Sequence, residues 1–244
     1  PDLGVLRLGT GNALASLSRA GRPLEDATRV LAGDALETSP LRVLEVEGHG
    51  ELFPFGSLGY DAQLLNDYVN VVEGARTAWG RRLAKSVAGY VYAVGTRTIP
   101  AELRRPATEV RVVSRGRASL LDPETLEEIP LDASAPLFEG VARAVLVGTT
   151  PYYGYGFRVL PYAGRRGDRF HLRVSTASIP YLIGRLPQLW RGTLRSSRLV
   201  DFLVEDVEVE TSQPLPLQLS GDAWGQADRA RIRLSDRTFR LLRM

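Results

Sequence analysis

The stretch Arg169-Phe170-His171-Leu172-Arg173-Val174 alternates polar and apolar side chains, which predicts a β-strand with one buried face. The same period of two returns near the C-terminus, in 229–234. Strands of this kind pair in antiparallel sheets that keep one face in water. We therefore expect a mostly antiparallel sheet, with His171 on its polar, solvent-facing side and not acting as a metal ligand.

The composition excludes several kinds of functional site. The 244 residues include no cysteine and two histidines, His49 and His171. Disulfides, thiolate zinc sites and a cysteine nucleophile are thereby excluded, and a histidine-built metal centre or a Ser-His triad is disfavoured. No apolar run reaches about 18 residues, so the sequence predicts no membrane-spanning helix. A net charge of +3 is too small to indicate nucleic acid as a partner.

The basic residues are arginines except for Lys85, which is a pattern typical of a GC-rich genome. They cluster in three places: Arg76, Arg81 and Arg82 with Lys85; Arg165, Arg166 and Arg169; and Arg191, Arg195 and Arg198. Each cluster is either a solvated face or a surface that meets an anionic bilayer or a phosphate. The aromatic residues Trp79, Tyr152 and Trp190 either touch such a bilayer or fill the core.

Helical patterns and extended runs divide the chain. Helical patterns follow residue 12 and cover Pro23–Leu31, and from Leu36 onward short extended runs predominate. We expect 41–47 and 51–58 to pair as strands around residues 48–50. Helices are predicted over 60–73 and 81–99, and a short helix with a loop over 178–197. The chain begins at Pro1 without methionine and soon enters a strand-like run, which suggests that an earlier segment is missing.

Four short motifs have residue types suited to chemistry. Glycines between a strand and a helix let backbone N–H groups approach an anion, as in Gly9-Thr10-Gly11-Asn12. A strand that leads into a helix places a carboxylate near the N-cap, as in Ser57-Leu58-Gly59-Tyr60-Asp61-Ala62. Glycines among aromatic residues allow close backbone packing, as in Tyr152-Tyr153-Gly154-Tyr155-Gly156-Phe157. A turn can present a base or a metal partner, as in Ser220-Gly221-Asp222. Each motif alone is also compatible with an ordinary turn, cap or bulge.

The order and spacing of the four motifs resemble those of the diacylglycerol kinase catalytic family, a group of lipid kinases that includes sphingosine and ceramide kinases. Residues 9–12 are similar to the G-T-x-N part of the family's P-L-G-T-x-N-D motif, and 57–62 to S-x-G-F-D-A. Residues 153–163 are similar to Y-G-G-G-x-x-x-x-P-x-A, and 221–222 to the end of D-G-E. The resemblance spans about residues 3 to 240, and the family's upstream G-G-D-G-T motif is absent.

The resemblance implies an α+β architecture: the C-terminal part of an α/β nucleotide-binding domain followed by a mostly antiparallel β-sandwich, as in NAD kinases and diacylglycerol kinases. The implied divisions are a remnant of the nucleotide-binding domain over 1–35, a β-rich lipid-substrate domain over 36–235, and a closing strand over 236–244 that returns to the first domain. The resemblance also implies a cytoplasmic protein that associates peripherally with the inner membrane face, and it is compatible with a homodimer.

The implied activity is transfer of the γ-phosphoryl group of ATP, with Mg²⁺, to the hydroxyl of a lipid at the membrane surface, the lipid being a diacylglycerol or a sphingoid base. Asp222 is the implied base, and the implied nucleotide-binding residues are Gly9, Thr10, Gly11 and Asn12. The implied cleft residues are Tyr60, Asp61, Gly154 and Gly156, and Asp168 is the implied metal ligand. Without its upstream segment the chain is expected to be inactive.

Departures from the family pattern leave two alternatives open. Ala13 replaces a common aspartate, Gly167-Asp168 reverses the usual Asp-Gly, and Ser220 stands for the first acid of D-G-E. These changes weaken the acidic constellation, so a non-catalytic lipid-binding module on the same fold is one alternative. A kinase of a soluble substrate such as NAD is the other, although Asn12-Ala13-Leu14-Ala15 is typical of sphingosine-kinase-like members.

Overall fold

The computed structural model describes residues 2–8, 13–48, 50–63, 100, 108–153 and 156–244. The strands are β1 Asp2–Leu3, β2 Thr38–Val46, β3 Leu52–Phe53, β4 Phe55–Gly59, β5 Glu109–Ser114, β6 Ala118–Leu121, β7 Glu128–Leu131, β8 Pro136–Val141, β9 Ala144–Gly148, β10 Phe170–Ser175, β11 Leu199–Val204, β12 Asp206–Leu219 and β13 Asp222–Leu242. The helices are α1 Ala13–Leu17, α2 Pro23–Leu31, α3 Ile179–Ile183 and α4 Leu186–Arg191. Residues 60–63 are also helical. Within these ranges no helix has the length and apolar character needed to cross a membrane.

These strands form one hydrogen-bonded sheet in the order β3-β2-β13-β12-β4-β9-β10-β11-β6-β7. The long strand β12 pairs with β5 through its first half and with β4 through its last residues, and β5 pairs in turn with β8. All of these pairings are antiparallel, so the predicted mostly antiparallel sheet is confirmed. The predicted hairpin over 41–58 is only partly correct, because β2 pairs with β3 whereas β4 pairs with β9 and β12.

Alternation along the central strands separates two hydrophobic clusters. Val145 and Val147 of β9 belong to a large core that takes side chains from β2, β4, β5 and β9–β13. Ala144 and Leu146 of the same strand belong to a second cluster, which is covered by α3, α4 and the loop around Leu160. Strand β9 is therefore buried on both faces, and each face contributes to a different part of the core.

The N-terminal residues pack against the C-terminal end of β13. Strand β1 pairs in parallel with β13, with Leu3 opposite Leu241. Leu14 and Leu17 of α1 join Leu241 in a third apolar cluster. The N–H of Met244 donates to the carbonyl of Ser18 at 2.8 Å. The C-terminal end of β13 and the residues after it therefore contact residues from the first twenty positions.

The predicted exposure of His171 is wrong: its side chain is completely buried, as is that of Arg173. Strand β10 lies between β9 and β11, and the face that carries these two residues is covered by the loop before it. The ring of Tyr162 packs edge-on against His171 at 5.2 Å, and Nη1 of Arg173 donates to the carbonyl of Val159 at 2.6 Å. Alternation therefore predicted the strand correctly but could not show that its polar face is covered.

One carboxylate binds both of the buried basic side chains of β10. Oδ1 of Asp201 on β11 lies 2.8 Å from Nε2 of His171 and 2.6 Å from Nε of Arg173. Nη2 of Arg173 donates to the second oxygen of Asp201 at 2.9 Å. Burial alone would raise the pKa of Asp201, but the Arg173 guanidinium and the hydrogen bonds with His171 and Arg173 outweigh it and hold that pKa well below its usual range. Burial lowers the pKa of His171 despite Asp201, so the imidazole is neutral near pH 7.

Gly59 closes β4 in a conformation that a side chain would disturb. Its φ is +109°, and a Cβ at this position would lie 2.2 Å from the carbonyl oxygen of Arg143. We expect Gly59→Ala to lower the free energy of unfolding by at least about 1–3 kcal/mol, measured by denaturant titration. Gly167→Ala is the control, because a Cβ there meets nothing within 4 Å. Equal effects of the two substitutions would contradict this explanation.

Candidate functional site

Residues of two sequence motifs, together with Gln218, meet at the end of β4. Ser57 lies in β4, Asp61 lies in the helical turn that follows, and Gln218 comes from the neighbouring strand β12. Tyr153 reaches the same place from the loop after β9, and its ring packs at 4.6 Å from that of Phe55. Sheet pairing therefore brings together side chains that lie up to 161 positions apart in the sequence.

These side chains form a hydrogen-bonded cluster around one carboxylate. Oγ of Ser57 donates to Oδ2 of Asp61 at 2.7 Å. Nε2 of Gln218 lies 3.1 Å from Oγ of Ser57, 2.9 Å from the hydroxyl of Tyr153 and 3.5 Å from Oδ2 of Asp61. The hydroxyl of Tyr153 donates to the carbonyl of Gly56 at 3.1 Å. The amide of Gln218 thus fixes three groups at once and orients the carboxylate.

Desolvation dominates the electrostatics of this cluster. Burial raises the pKa of Asp61, although hydrogen bonds with Ser57, Tyr153 and Gln218 favour the charged form and oppose the rise. Burial and the nearby Asp61 carboxylate also raise the pKa of Tyr153 well above its usual value, so the phenol stays protonated and remains a donor. A carboxyl group whose pKa is shifted in this way and whose orientation is fixed is a candidate for proton transfer or cation binding.

The fourth motif joins the cluster through its backbone. Leu219 and Asp222 pair across a two-residue hairpin whose central residues, Ser220 and Gly221, have φ values of +56° and +93°. Positive φ at both positions is typical of a type I′ turn. The N–H of Gly221 donates to Oε1 of Gln218 at 2.8 Å. Asp222 is exposed and comes directly after Gly221. Its backbone is therefore attached to a turn that is hydrogen-bonded to the Asp61 cluster.

The predicted cleft residues Tyr60 and Gly156 lie in different surroundings. The ring of Tyr60 is buried in the second hydrophobic cluster, and its hydroxyl lies 3.2 Å from Oγ of Ser175. These surroundings favour a role in core packing over a role in a cleft. Gly156 has a φ of +75°, and a Cβ there would meet nothing within 4 Å. Gly156 therefore serves a turn, which the hydrogen bond from the N–H of Tyr153 to the carbonyl of Phe157 closes. Gly154 lies outside the described residues.

Asp168, the predicted metal ligand, lies among arginines. Its Oδ2 is 3.0 Å from Nη1 of Arg117 and 3.9 Å from Nε of Arg169. Over the described ranges, no group of three His, Cys, Asp or Glu side chains is arranged to hold a metal ion. The charge of Asp168 is balanced by these arginines, so a metal role for it remains a prediction without support from its surroundings.

The predicted nucleotide loop, Gly9, Thr10, Gly11 and Asn12, lies outside the described residues, as do the predicted helix over 81–99 and residues 64–73 of the helix predicted over 60–73. Ala13, which follows the loop directly, belongs to the same buried cluster as Phe55 and Tyr60. The first described residue after the loop therefore belongs to a hydrophobic cluster that also includes a residue of β4, the strand that carries Ser57.

Gln218 is the main member of the cluster that belongs to none of the four sequence motifs. It lies among apolar residues in Leu215-Pro216-Leu217-Gln218-Leu219 and is 2% exposed. A lone amide in such a run must find partners inside the protein, because an unpaired buried polar group is costly. That signal was present in the sequence, but the sequence could not show which partners the amide binds.

Comparisons with known proteins identify similar folds. No family model and no curated protein matches the sequence. Two solved structures from Bacillus anthracis str. Sterne, each provisionally assigned as a diacylglycerol kinase, match 98% of the chain with a TM-score of 0.60, at 14% and 15% identity. A diacylglycerol kinase from the same strain matches 98% of the chain with a TM-score of 0.56 at 11% identity. The chain covers 69%, 69% and 66% of those three chains, and its fold is the one they share.

Proposed function

We propose that the protein is an ATP-dependent lipid kinase that transfers the γ-phosphoryl group to a lipid hydroxyl, on a diacylglycerol or a sphingoid base. The observation that supports this most directly is the single network joining Ser57, Asp61, Tyr153 and the 220–222 turn. Three motifs of the resemblance meet there, on a fold shared with structures assigned as diacylglycerol kinases. Because the chain spans about two thirds of those proteins, the proposal concerns the whole protein.

The proposed division of roles follows from exposure. Asp222, which is exposed on the hairpin, would accept the proton of the attacking hydroxyl, as a general base does. Asp61 is held by Ser57 and Gln218 and orients the reacting groups. Residues 9–12 would bind nucleotide phosphate or ribose through backbone N–H groups. Gly154 and Gly156 would shape the loop that carries Tyr153.

The carboxylates present suit magnesium bound together with ATP. In phosphoryl transfer Mg²⁺ is held by one or two carboxylates together with the substrate phosphates, so a dedicated cage of acidic residues is not required. Asp61 could supply such a carboxylate. When bound, Mg²⁺ would neutralise charge on the transferred phosphoryl group. Asp61 serves this purpose only in its charged form, which burial disfavours.

The pH profile tests that requirement. Because the pKa of Asp61 is raised in the folded protein, activity should rise with pH through a value above that of an ordinary aspartic acid, about 3.9. Asp61→Asn should lower kcat and remove this acidic limb from the profile of any remaining activity. An unchanged limb in the Asp61→Asn variant would show that another group titrates.

A phosphotransfer assay on the full-length protein tests the function itself. The protein is incubated with Mg·ATP and diacylglycerol, sphingosine or NAD, and we expect transfer to one of the lipids. Transfer to NAD alone would establish the soluble-substrate alternative. Lipid binding without ATP binding would establish the non-catalytic alternative, and either result would overturn the proposal.

A further inference from the structure

Positive charge is concentrated in one segment of the chain. Residues 140–200 contain ten arginines and one acidic residue, Asp168, which gives this segment a charge of +9. The whole chain has a charge of +3, so the remaining residues carry −6. The protein therefore has a strongly basic part that its small net charge conceals.

The same segment exposes an apolar surface. Ile183, Leu186 and Trp190 of α3 and α4 are 47%, 43% and 40% exposed, and we call these three residues the α3–α4 face. The two helices are held in place by Leu182 and Leu189, which are buried in the second hydrophobic cluster. The face is therefore part of the folded structure and not a frayed end.

Arginines without carboxylate partners surround this face. Arg185 and Arg198 lie over the ring of Tyr181, at 4.0 and 4.5 Å from its centroid. Arg191 is exposed at the end of α4, and the N–H of Arg158 donates to the carbonyl of Trp190. Within the described part of the chain, none of these four guanidinium groups forms an ion pair with a carboxylate.

The arginines of β13, unlike those beside the α3–α4 face, are paired with carboxylates. Arg229, Arg231 and Arg233 of β13 each pair with at least one carboxylate, from Glu208, Asp206 and Glu45 respectively. The arginines there are neutralised within the protein. Those beside the α3–α4 face keep their charge available for an external anion.

We propose that the α3–α4 face is the surface through which the protein binds a bilayer that contains anionic lipids. Apolar side chains and a tryptophan enter the boundary between headgroups and acyl chains, while arginines bind the lipid phosphates. A bilayer provides both acyl chains for the three apolar residues and phosphates for the arginines. An acidic protein surface would bind the arginines but would leave the three apolar residues without apolar contacts.

The position of the face is suited to a lipid substrate. Trp190 packs against Phe157 at 5.4 Å, and the carbonyl of Phe157 accepts a hydrogen bond from the N–H of Tyr153. The hydroxyl of Tyr153 belongs to the Asp61 cluster. A bound bilayer would thus lie one short loop from the candidate site. Only this link to catalysis rests on the proposed function, because vesicle binding is measured without ATP.

Vesicle binding by the full-length protein tests the proposal. We expect binding to vesicles of phosphatidylcholine with phosphatidylglycerol and much weaker binding to phosphatidylcholine alone. Reversing one arginine should weaken binding about tenfold or more, since each basic residue near an anionic surface contributes about fivefold. Arg191→Glu is the test variant, and the exposed Arg237→Glu on β13 is its control, with the same change in charge.

Apolar variants test the insertion itself. Leu186→Ser should weaken binding several-fold, whereas Ile129→Ser, at a residue that is 45% exposed on β7, should not. Vesicles should shift the tryptophan emission to shorter wavelength, and Trp190→Phe should remove that shift.

Equal weakening of vesicle binding by Arg191→Glu and Arg237→Glu would overturn the assignment. Loss of thermal stability in Leu186→Ser with unchanged vesicle binding would also overturn it, because protein would then cover the face. Loss of phosphotransfer with vesicle binding retained would contradict only the proposed function.

Discussion

Replacing Asp201 with alanine is expected to lower the free energy of unfolding by about 3–5 kcal/mol, because the substitution leaves a buried cation without its partner. Arg173 is 2% exposed, and Asp201 accepts two of its hydrogen bonds, at 2.6 and 2.9 Å. Among the described residues, the one hydrogen-bond partner left to this guanidinium would be the carbonyl of Val159, which accepts from Nη1. Denaturant titration of wild type and variant at pH 7 measures the difference.

Two controls show whether charge causes this loss. Glu45→Gln removes a partner of Arg233 in an ion pair whose arginine is more than half exposed, and it should cost less than about 1 kcal/mol. The effect of Asp201 should also depend on pH. Its pKa is lowered in the folded state, so its stabilisation is complete above the unfolded pKa of about 3.9 and fades as the pH falls below it. A difference that stays constant down to low pH would indicate lost packing instead.

This buried cluster marks the limit of strand prediction from sequence. Alternation over 169–174 gave the correct strand and the correct period, because each residue projects to one face or the other. Whether the second face meets water depends on residues that follow β9, because Val159 and Tyr162 lie against that face. The sequence of β10 itself contains no pattern that shows that its polar face is buried by these residues. The pairing of His171 and Arg173 with Asp201 is likewise a property of the β10–β11 register.

The candidate site could be predicted only in part, because some of its residues are brought together by strand pairing and not by a local sequence pattern. Asp61 and the 220–222 turn belong to short motifs, and a motif is visible wherever its residues are contiguous. Gln218 belongs to no motif, and its importance arises because β12 lies beside β4 and places its amide against Ser57 and Tyr153. Sequence patterns thus identified Asp61 and the 220–222 turn, whereas Gln218, which connects them, could be identified only from strand pairing.

Replacing Asp222 with alanine is expected to lower turnover of the full-length protein by about 10²–10⁴-fold, which is the usual contribution of a general base. The residue is exposed, so the free energy of unfolding should change by less than about 0.5 kcal/mol. The measurement is kcat for phosphotransfer to the preferred lipid at saturating Mg·ATP, together with a denaturant titration that confirms folding.

A matched variant separates this role from a general effect of negative charge. Asp236→Ala removes an equally charged, exposed aspartate from the same strand and should leave turnover unchanged. The KM for ATP should also stay near its wild-type value in Asp222→Ala, because a base that acts on the lipid hydroxyl is not required for nucleotide binding. If Asp222→Ala raised that KM and left kcat intact, the carboxylate would bind nucleotide or metal, and the base would have to be sought elsewhere, first at Asp61, whose raised pKa favours holding a proton.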